Sequence, residues 1–429
     1  MIKTVSPGSL SGHLAVMPSK SASHRAVMLA ALAQGETEIA PLQLSKDVEA
    51  TLSCASALGL VSGVRIAPHT APGFVRACIT GGQSPLPGTA RTLNCGESGS
   101  TLRFFIPLAL DGRGPVTFVG RGRLMQRPLD VYESLFAPLG VRWEQKEDRL
   151  TIEGRLQSGV YALRGDVSSQ FITGLLLALP SLPGDSVIRI TTKLESRAYV
   201  ELTRRVQSAF GVRSHWEAEQ TLRIPGGQQP LSPGRAHVES DWSHAAFYIA
   251  SGCIGGLGPI TLSGLDMDSA QGDRAIVDIL RAMGGIISRQ GEVLTICPSR
   301  LHGATVDASQ IPDLVPILAV AMAAAEGESR ITGAARLRIK ESDRLSAMYA
   351  ALRAAGADVT EQADGLIIRG GKPLHGAHID GCNDHRIVMA MAVASALSTG
   401  DLIISDAQAV AKSAPAFWEE FAALGGKAQ

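Results

Sequence analysis

Gly258-Pro-Ile-Thr-Leu262 is one of six related segments, and their recurrence decides the fold. The others are Gly35-Glu-Thr-Glu-Ile39, Gly114-Pro-Val-Thr-Phe118, Gly184-Asp-Ser-Val-Ile188, Gly327-Glu-Ser-Arg-Ile331 and Gly400-Asp-Leu-Ile-Ile404. Each sets a glycine turn before a β-branched run, and successive copies lie 69 to 79 residues apart. Between 24 and 29 residues after each opening glycine, an amphipathic stretch ends at Gly59, Gly140, Gly211, Gly284, Gly356 or Gly425. That spacing is the length of a strand, a loop and a helix closed by a glycine C-cap. Short alternating strands follow in most copies, as in Val141-Arg-Trp-Glu144 with Arg149-Leu-Thr-Ile152.

A second helix completes each copy. Its first turn is polar: Ser19-Lys-Ser-Ala-Ser-His-Arg25, Glu97-Ser-Gly-Ser-Thr-Leu-Arg103, Asp166-Val-Ser-Ser-Gln170, Asp241-Trp-Ser-His244, Gln310-Ile-Pro-Asp313 and Asn383-Asp-His-Arg386. The bodies that follow are apolar nearly all round, as buried helices are. The chain opens on a second helix and closes at Gly425 on a first half, so the two termini are expected to complete one unit together. Counting from the second helices predicts two domains of three units, residues 1–18 plus 241–429 and residues 19–240.

The charge is balanced, with 40 Lys plus Arg against 40 Asp plus Glu, and aromatics are only 4%. No nucleic-acid partner is expected from such a chain. Cysteines 54, 78, 95, 253, 297 and 382 show no metal-ligand spacing, which predicts idle thiols in a reducing compartment and no metal. Met1–Leu14 lacks a signal-peptide core, and Ile387–Leu397 is too short to span a bilayer, so a soluble cytoplasmic protein without a membrane partner is expected. Pro18-Ser-Lys-Ser21 lacks the upstream glycines of a P-loop, no GxGxxG opens a βαβ unit, and Asp384-His385 has no third partner for a metal or triad.

Helix N-termini carry unpaired N–H groups and about half a positive charge, and six of them in equivalent positions should converge. Lys20, Arg25, Arg103 and Arg386 lie on these first turns. Such a site suits small, multiply charged phosphate or carboxylate ligands, although each hydroxyl or Asp is also an ordinary N-cap. The slot between first strand and first helix adds charge in four copies, at Gly120–Pro128, Leu194–Arg197, Arg336–Arg344 and Gln408–Lys412.

Pro18-Ser-Lys-Ser-Ala-Ser-His-Arg25, Gly96-Glu-Ser-Gly-Ser-Thr-Leu-Arg103, Arg123-Leu-Met-Gln-Arg-Pro128, Ser168-Ser-Gln170, Leu337-Arg-Ile-Lys-Glu-Ser-Asp-Arg344, Asn383-Asp-His-Arg386 and Ala411-Lys-Ser413 together resemble the 3-phosphoshikimate 1-carboxyvinyltransferase (EPSP synthase) family of enolpyruvyl transferases, in its order and over essentially the whole chain. The resemblance implies an α/β fold of two domains, each of three βαβαββ units in an inside-out α/β barrel, hinged over a central cleft. It implies transfer of the enolpyruvyl group of phosphoenolpyruvate to the 5-hydroxyl of shikimate 3-phosphate by a monomer without a cofactor. Carried over by position, it implies that Lys20, Ser21, Arg25, Ser168, Ser169, Gln170, Ser196, Arg197, Asp313 and Lys340 bind shikimate 3-phosphate. Lys20, Gly99, Arg123, Gln170, Arg344, Arg386 and Lys412 would bind phosphoenolpyruvate. Asp313 would be the base at the 5-hydroxyl and Glu341 the acid at the methylene, with Lys20 assisting at the bridging oxygen. The chain departs from the family pattern at Ser19, His24, Glu97, Trp242 and Arg336.

Two other readings compete. A UDP-N-acetylglucosamine enolpyruvyl transferase would share the repeat but carry a cysteine in the Arg121–Arg127 loop, where this chain has none. A non-catalytic anion-binding repeat protein would leave Asp313 and Glu341 unexplained, unless Glu341 merely pairs with Arg338 or Arg344.

Overall fold

The computed structural model describes residues 1–71, 73–83 and 90–429. Among these, twelve α-helices alternate along the chain: α1 (Lys20–Leu32), α2 (Lys46–Ala57), α3 (Gly99–Ala109), α4 (Asp130–Phe136), α5 (Ser169–Ala178), α6 (Arg197–Ala209), α7 (Trp242–Ile254), α8 (Ile276–Ala282), α9 (Val315–Ala324), α10 (Arg344–Ala354), α11 (His385–Ala394) and α12 (Phe417–Ala423). The odd-numbered helices are the apolar ones and are buried almost throughout, as Val315 to Ala323 of α9 illustrate. The even-numbered helices keep an exposed side. Each of the six even-numbered helices is followed by a glycine at positive φ, from 71° at Gly140 to 100° at Gly284. There the missing Cβ lets the chain turn back without strain.

Six small sheets accompany the helices, and none closes into a barrel among the described residues. A complete copy is seen in Arg91–Asn94, which runs parallel to Val116–Val119 across α3; Arg149–Glu153 then pairs antiparallel with Val116–Val119 and with Arg142–Gln145. Burial alternates along Arg149–Glu153, so one face of the sheet packs inward and the other meets solvent. Helices inside and sheets outside invert the usual α/β barrel.

The chain divides into two compact units, Met1–Ser19 with Glu239–Gln429, and Lys20–Val238. The strands at the two crossings are exchanged. Gly12–Ala15, which precedes α1 in sequence, pairs parallel with Ile260–Ser263 beyond α7, while Arg235–Ala236, which precedes α7, pairs with Gly35–Leu42 beyond α1. Segments from the two termini meet in the unit Met1–Ser19 with Glu239–Gln429. α1 belongs to the unit 20–238, and the segment that completes the sixth sheet is Lys3–Val5, antiparallel to Leu402–Ile404. A periodic pattern reports helix starts but says nothing of which sheet a short edge strand joins.

Candidate functional site

The candidate residues fall into several local groups, some in each unit. In the unit 20–238, Lys20 opens α1 and its Nζ donates to Asp47 Oδ2 at 3.0 Å, with both side chains mostly buried. Arg25, one turn on, points inward. Its Nε donates to Thr203 Oγ1 at 2.8 Å, Nη1 to the Ser21 carbonyl at 2.7 Å, and Nη2 to the Tyr199 carbonyl at 3.1 Å and Thr173 Oγ1 at 3.3 Å. Burial lowers its pKa to about 10, and the guanidinium ties α1 to α5 and α6. His24 is buried against Thr51, Nδ1 to Oγ1 2.7 Å, and burial, then Lys20 and Arg25, hold it well below the usual histidine range. This departure from the family pattern is therefore a neutral packing group.

α3 starts at Gly99 behind the N-cap Ser98, whose Oγ accepts from Thr101 N. A Cβ on Gly99 would lie 2.4 Å from Arg127 Nη1, so only a glycine lets that guanidinium lie against the helix start. Arg123 is exposed on the same loop. Arg103 Nη1 donates to Gln170 Oε1 at 2.8 Å, and Gln170 Nε2 donates to Ser100 Oγ at 2.9 Å, which fixes Gln170 between α3 and α5. Ser168 caps α5 and Ser169 is its first residue. Arg197 lies over the Trp216 ring at 4.1 Å and donates to the Glu219 carbonyl at 3.0 Å. Ser196, buried before it, takes a left-handed backbone with φ 54°. The other non-glycine residues at positive φ among those described, Cys382, Asn383 and Asp406, also precede helix starts in the candidate loops. Strain of this kind costs roughly 1–3 kcal/mol per residue and tends to gather at functional sites.

In the other unit the carboxylates meet the cations. Arg344, 1% exposed, donates through Nε to Asp384 Oδ2 at 2.8 Å, through Nη1 to Asp313 Oδ1 at 2.9 Å and through Nη2 to Glu341 Oε2 at 2.8 Å. Its pKa is raised, because Asp384, Glu341 and Asp313 outweigh the opposing effect of burial. Arg386 reaches Asp313 twice, Nη1 to the carbonyl at 3.0 Å and Nη2 to Oδ2 at 3.1 Å. Lys412 Nζ donates to the Asn383 carbonyl at 2.6 Å. Lys340 is partly exposed beside Glu341. Arg336 is buried and donates to the Ser309 carbonyl at 2.6 Å, and Trp242 is fully buried with Nε1 on the Asp266 carbonyl at 3.0 Å. Glu341 thus pairs with Arg344, but ahead of α10 rather than along a helix face.

Three members of these groups went unassigned in sequence. Asp47 lies in the first turn of α2 and Asp273 in the turn ahead of α8, at the end of the strand-to-helix slot in the first and fourth copies, so aligning that region across all six would have found them. Asp384 lies in the quoted Asn383-Asp-His-Arg386 run, and its carboxylate both caps α11 and binds Arg344. Among the described residues no cluster of three or more His, Cys, Asp or Glu could hold a metal ion, and no helix is long and apolar enough to cross a membrane.

α7 also carries His244, whose Nε2 lies 2.6 Å from Glu420 Oε2, to which Tyr248 donates at 2.7 Å. Burial opposes the charge on His244, but Glu420 and then Asp241 outweigh it and raise its pKa above 6.5. Burial likewise opposes ionised Glu420, yet His244 holds it below 4.5. His244 contributes fully below pH 6.5 and loses its contribution as pH rises through its folded-state value; Glu420 contributes above pH 4.5 and loses it as pH falls. Thermal melts of Glu420→Gln should therefore show the largest deficit against the parent between these two pH values, shrinking at alkaline pH.

The buried-helix, outer-sheet repeat defines an enolpyruvyl-transferase-like fold, and the enolpyruvyl transferase NikO from Streptomyces tendae superposes with a TM-score of 0.79 at 16% identity, covering 100% of this chain and 98% of that one. EPSP synthase from Acinetobacter baumannii superposes with a TM-score of 0.79 at 25% identity over 100% of both chains. The family model for EPSP synthase (3-phosphoshikimate 1-carboxyvinyltransferase) matches residues 5–421, and this chain belongs to that family. Relatives named 3-phosphoshikimate 1-carboxyvinyltransferase include those of Clostridium novyi, 43% identical over 98% of this chain and 96% of the relative, and Clostridium kluyveri, 42% identical over 99% and 97%.

Proposed function

We propose that this chain transfers the enolpyruvyl group of phosphoenolpyruvate to the 5-hydroxyl of shikimate 3-phosphate, releasing phosphate, and does so as a cytoplasmic monomer. Family membership supports the reaction. The observation that carries the catalytic reading is Arg344 gripping Asp313, Glu341 and Asp384 at once, with Arg386 beside Asp313. A passive anion binder gains nothing from carboxylates that occupy its cations.

The chemistry needs both kinds of group. The enol phosphate of phosphoenolpyruvate gains an electrophilic carbon when its methylene takes a proton, assigned here to Glu341. The 5-hydroxyl becomes a nucleophile as Asp313 takes its proton, and each transfer is worth roughly 100- to 10,000-fold. Lys20, Arg123, Arg344, Arg386 and Lys412 would stabilise the phosphate and carboxylate charges along the path to the tetrahedral intermediate. Glu341 now accepts from Arg344, so it must exchange that partner to donate a proton, and the carboxylate of phosphoenolpyruvate is the natural replacement at the guanidinium.

Phosphate release from phosphoenolpyruvate should be seen with shikimate 3-phosphate and not with UDP-N-acetylglucosamine, the reverse pattern pointing to the other enolpyruvyl transferase. Lys20→Ala should weaken shikimate 3-phosphate binding about 10- to 100-fold, the equivalent of one charge-assisted bond of ~1.5–3 kcal/mol. Titration calorimetry reads this directly, and parental affinity would remove Lys20 from the site. Gly99→Ala should raise the KM for phosphoenolpyruvate more than it lowers kcat, because the new Cβ displaces the Arg127 guanidinium. Steady-state kinetics with each substrate varied would separate the two effects.

A further inference from the structure

Asp273 is a buried carboxyl that the mechanism so far does not use. It is 2% exposed, in the short turn Gly272–Ala275 ahead of α8. Its Oδ2 accepts from the Ser243 hydroxyl on the first turn of α7, and its Oδ1, also buried, has no hydrogen-bond partner in the protein. An acceptor oxygen left this way is costly as a full carboxylate, so the group is poised to hold a proton.

The turn that holds Asp273 and the turn Pro312–Leu314 that holds Asp313 both pack against α7, whose N-cap is Asp241, and Arg386 binds the Asp313 carboxylate. Asp241, from the α7 N-cap, and Asp313 disfavour its ionisation, and Arg386 favours it. The remaining charged groups of the neighbouring elements are turned elsewhere. His244 pairs with Glu420, Arg274 with the Met267 carbonyl, and Asp278 and Arg281 of α8 lie on its outer side, 3.9 Å apart. Burial first, and then Asp313, push the Asp273 pKa up to about 7.

We infer that Asp273 is a positioning residue for proton removal, a buried carboxyl held by Ser243 whose ionisation strengthens Asp313 as the base for the 5-hydroxyl. It exchanges no atom with substrate. When Asp273 carries its proton, Arg386 and Arg344 leave Asp313 a weak base; when it is ionised, its negative charge raises the proton affinity of Asp313. Turnover should then rise with pH through the Asp273 ionisation. The inference rests on the proposed base role of Asp313, and a parent protein without turnover on the two substrates would sink that reading first.

The test is the pH profile of kcat for the parent, Asp273→Asn and Ser243→Ala, measured with phosphoenolpyruvate and shikimate 3-phosphate. Asparagine mimics the protonated carboxyl, so the limb near neutral pH should vanish, leaving a low, flat kcat at parental KM. The same variant should be more stable than the parent above neutral pH. A raised acid pKa means stability that is complete below pH 3.8 and is lost as pH rises through about 7, and asparagine removes that loss. Removing the Ser243 hydroxyl takes away a bond that favours ionisation, so Ser243→Ala should move the limb to higher pH and keep it. Should Asp273→Asn fail to fold, Ser243→Ala decides alone. An active parent whose limb stays in place in either folded variant overturns the inference.

Discussion

Asp313→Asn and Glu341→Gln should each lower kcat by roughly 100-fold or more, with much smaller changes in substrate dissociation constants. Both carboxylates hold on to Arg344, and Asp313 also to Arg386. In the proposed mechanism the ligands bind those same guanidiniums, so neutralising either acid would remove a competitor for the cations as well as a proton carrier. Binding should stay level or tighten while turnover falls. Glu341 has the sharper readout. If it protonates the methylene, the glutamine variant also loses solvent-deuterium exchange into phosphoenolpyruvate, and exchange at the parental rate would move the acid role to Lys20 or Lys412.

Arg344→Ala is expected to do two kinds of damage at once. The Asp384 side chain is fully buried, and it would keep the hydrogen bonds from the Ser342 hydroxyl and the α11 backbone but lose the Arg344 guanidinium, with only the His385 ring left nearby at 3.9 Å. Breaking a buried pair from one side typically costs about 3–5 kcal/mol, which urea or thermal unfolding would read. Activity should be lost as well, because Asp313 and Glu341 lose the donor that aligns them. Lysine should not rescue it, since a single ammonium cannot present three directed donors to three carboxylates. A folded, fully active Arg344→Lys variant would show that charge alone suffices.

Much of this was legible in the chain because it is local information. The opening glycines, the six glycines after the outer helices and the apolar bodies of α1, α3, α5, α7, α9 and α11 recur at short fixed offsets, and the backbone obeys those offsets wherever it sits. The chemical types at the helix starts were legible for the same reason. Ser98, Ser168, Asp241 and Asp384 do cap their helices. The resemblance to EPSP synthases, read from motifs along nearly the whole length, holds in the family match.

By itself, then, the sequence determined a six-copy α/β repeat, the polar starts of its buried helices and the family. The tertiary structure decided where each side chain spends its charge. Arg25 turns into α5 and α6, Arg197 lies on Trp216, and Arg344 collects carboxylates 31 and 40 residues away in the chain. The structure also decided the exchanged edge strands at the crossings and the burial of Asp273 beside Ser243. The reason is physical. Periodicity reports which face of an element is apolar, whereas ion pairs and proton affinities depend on distances and burial that exist only once distant segments pack together.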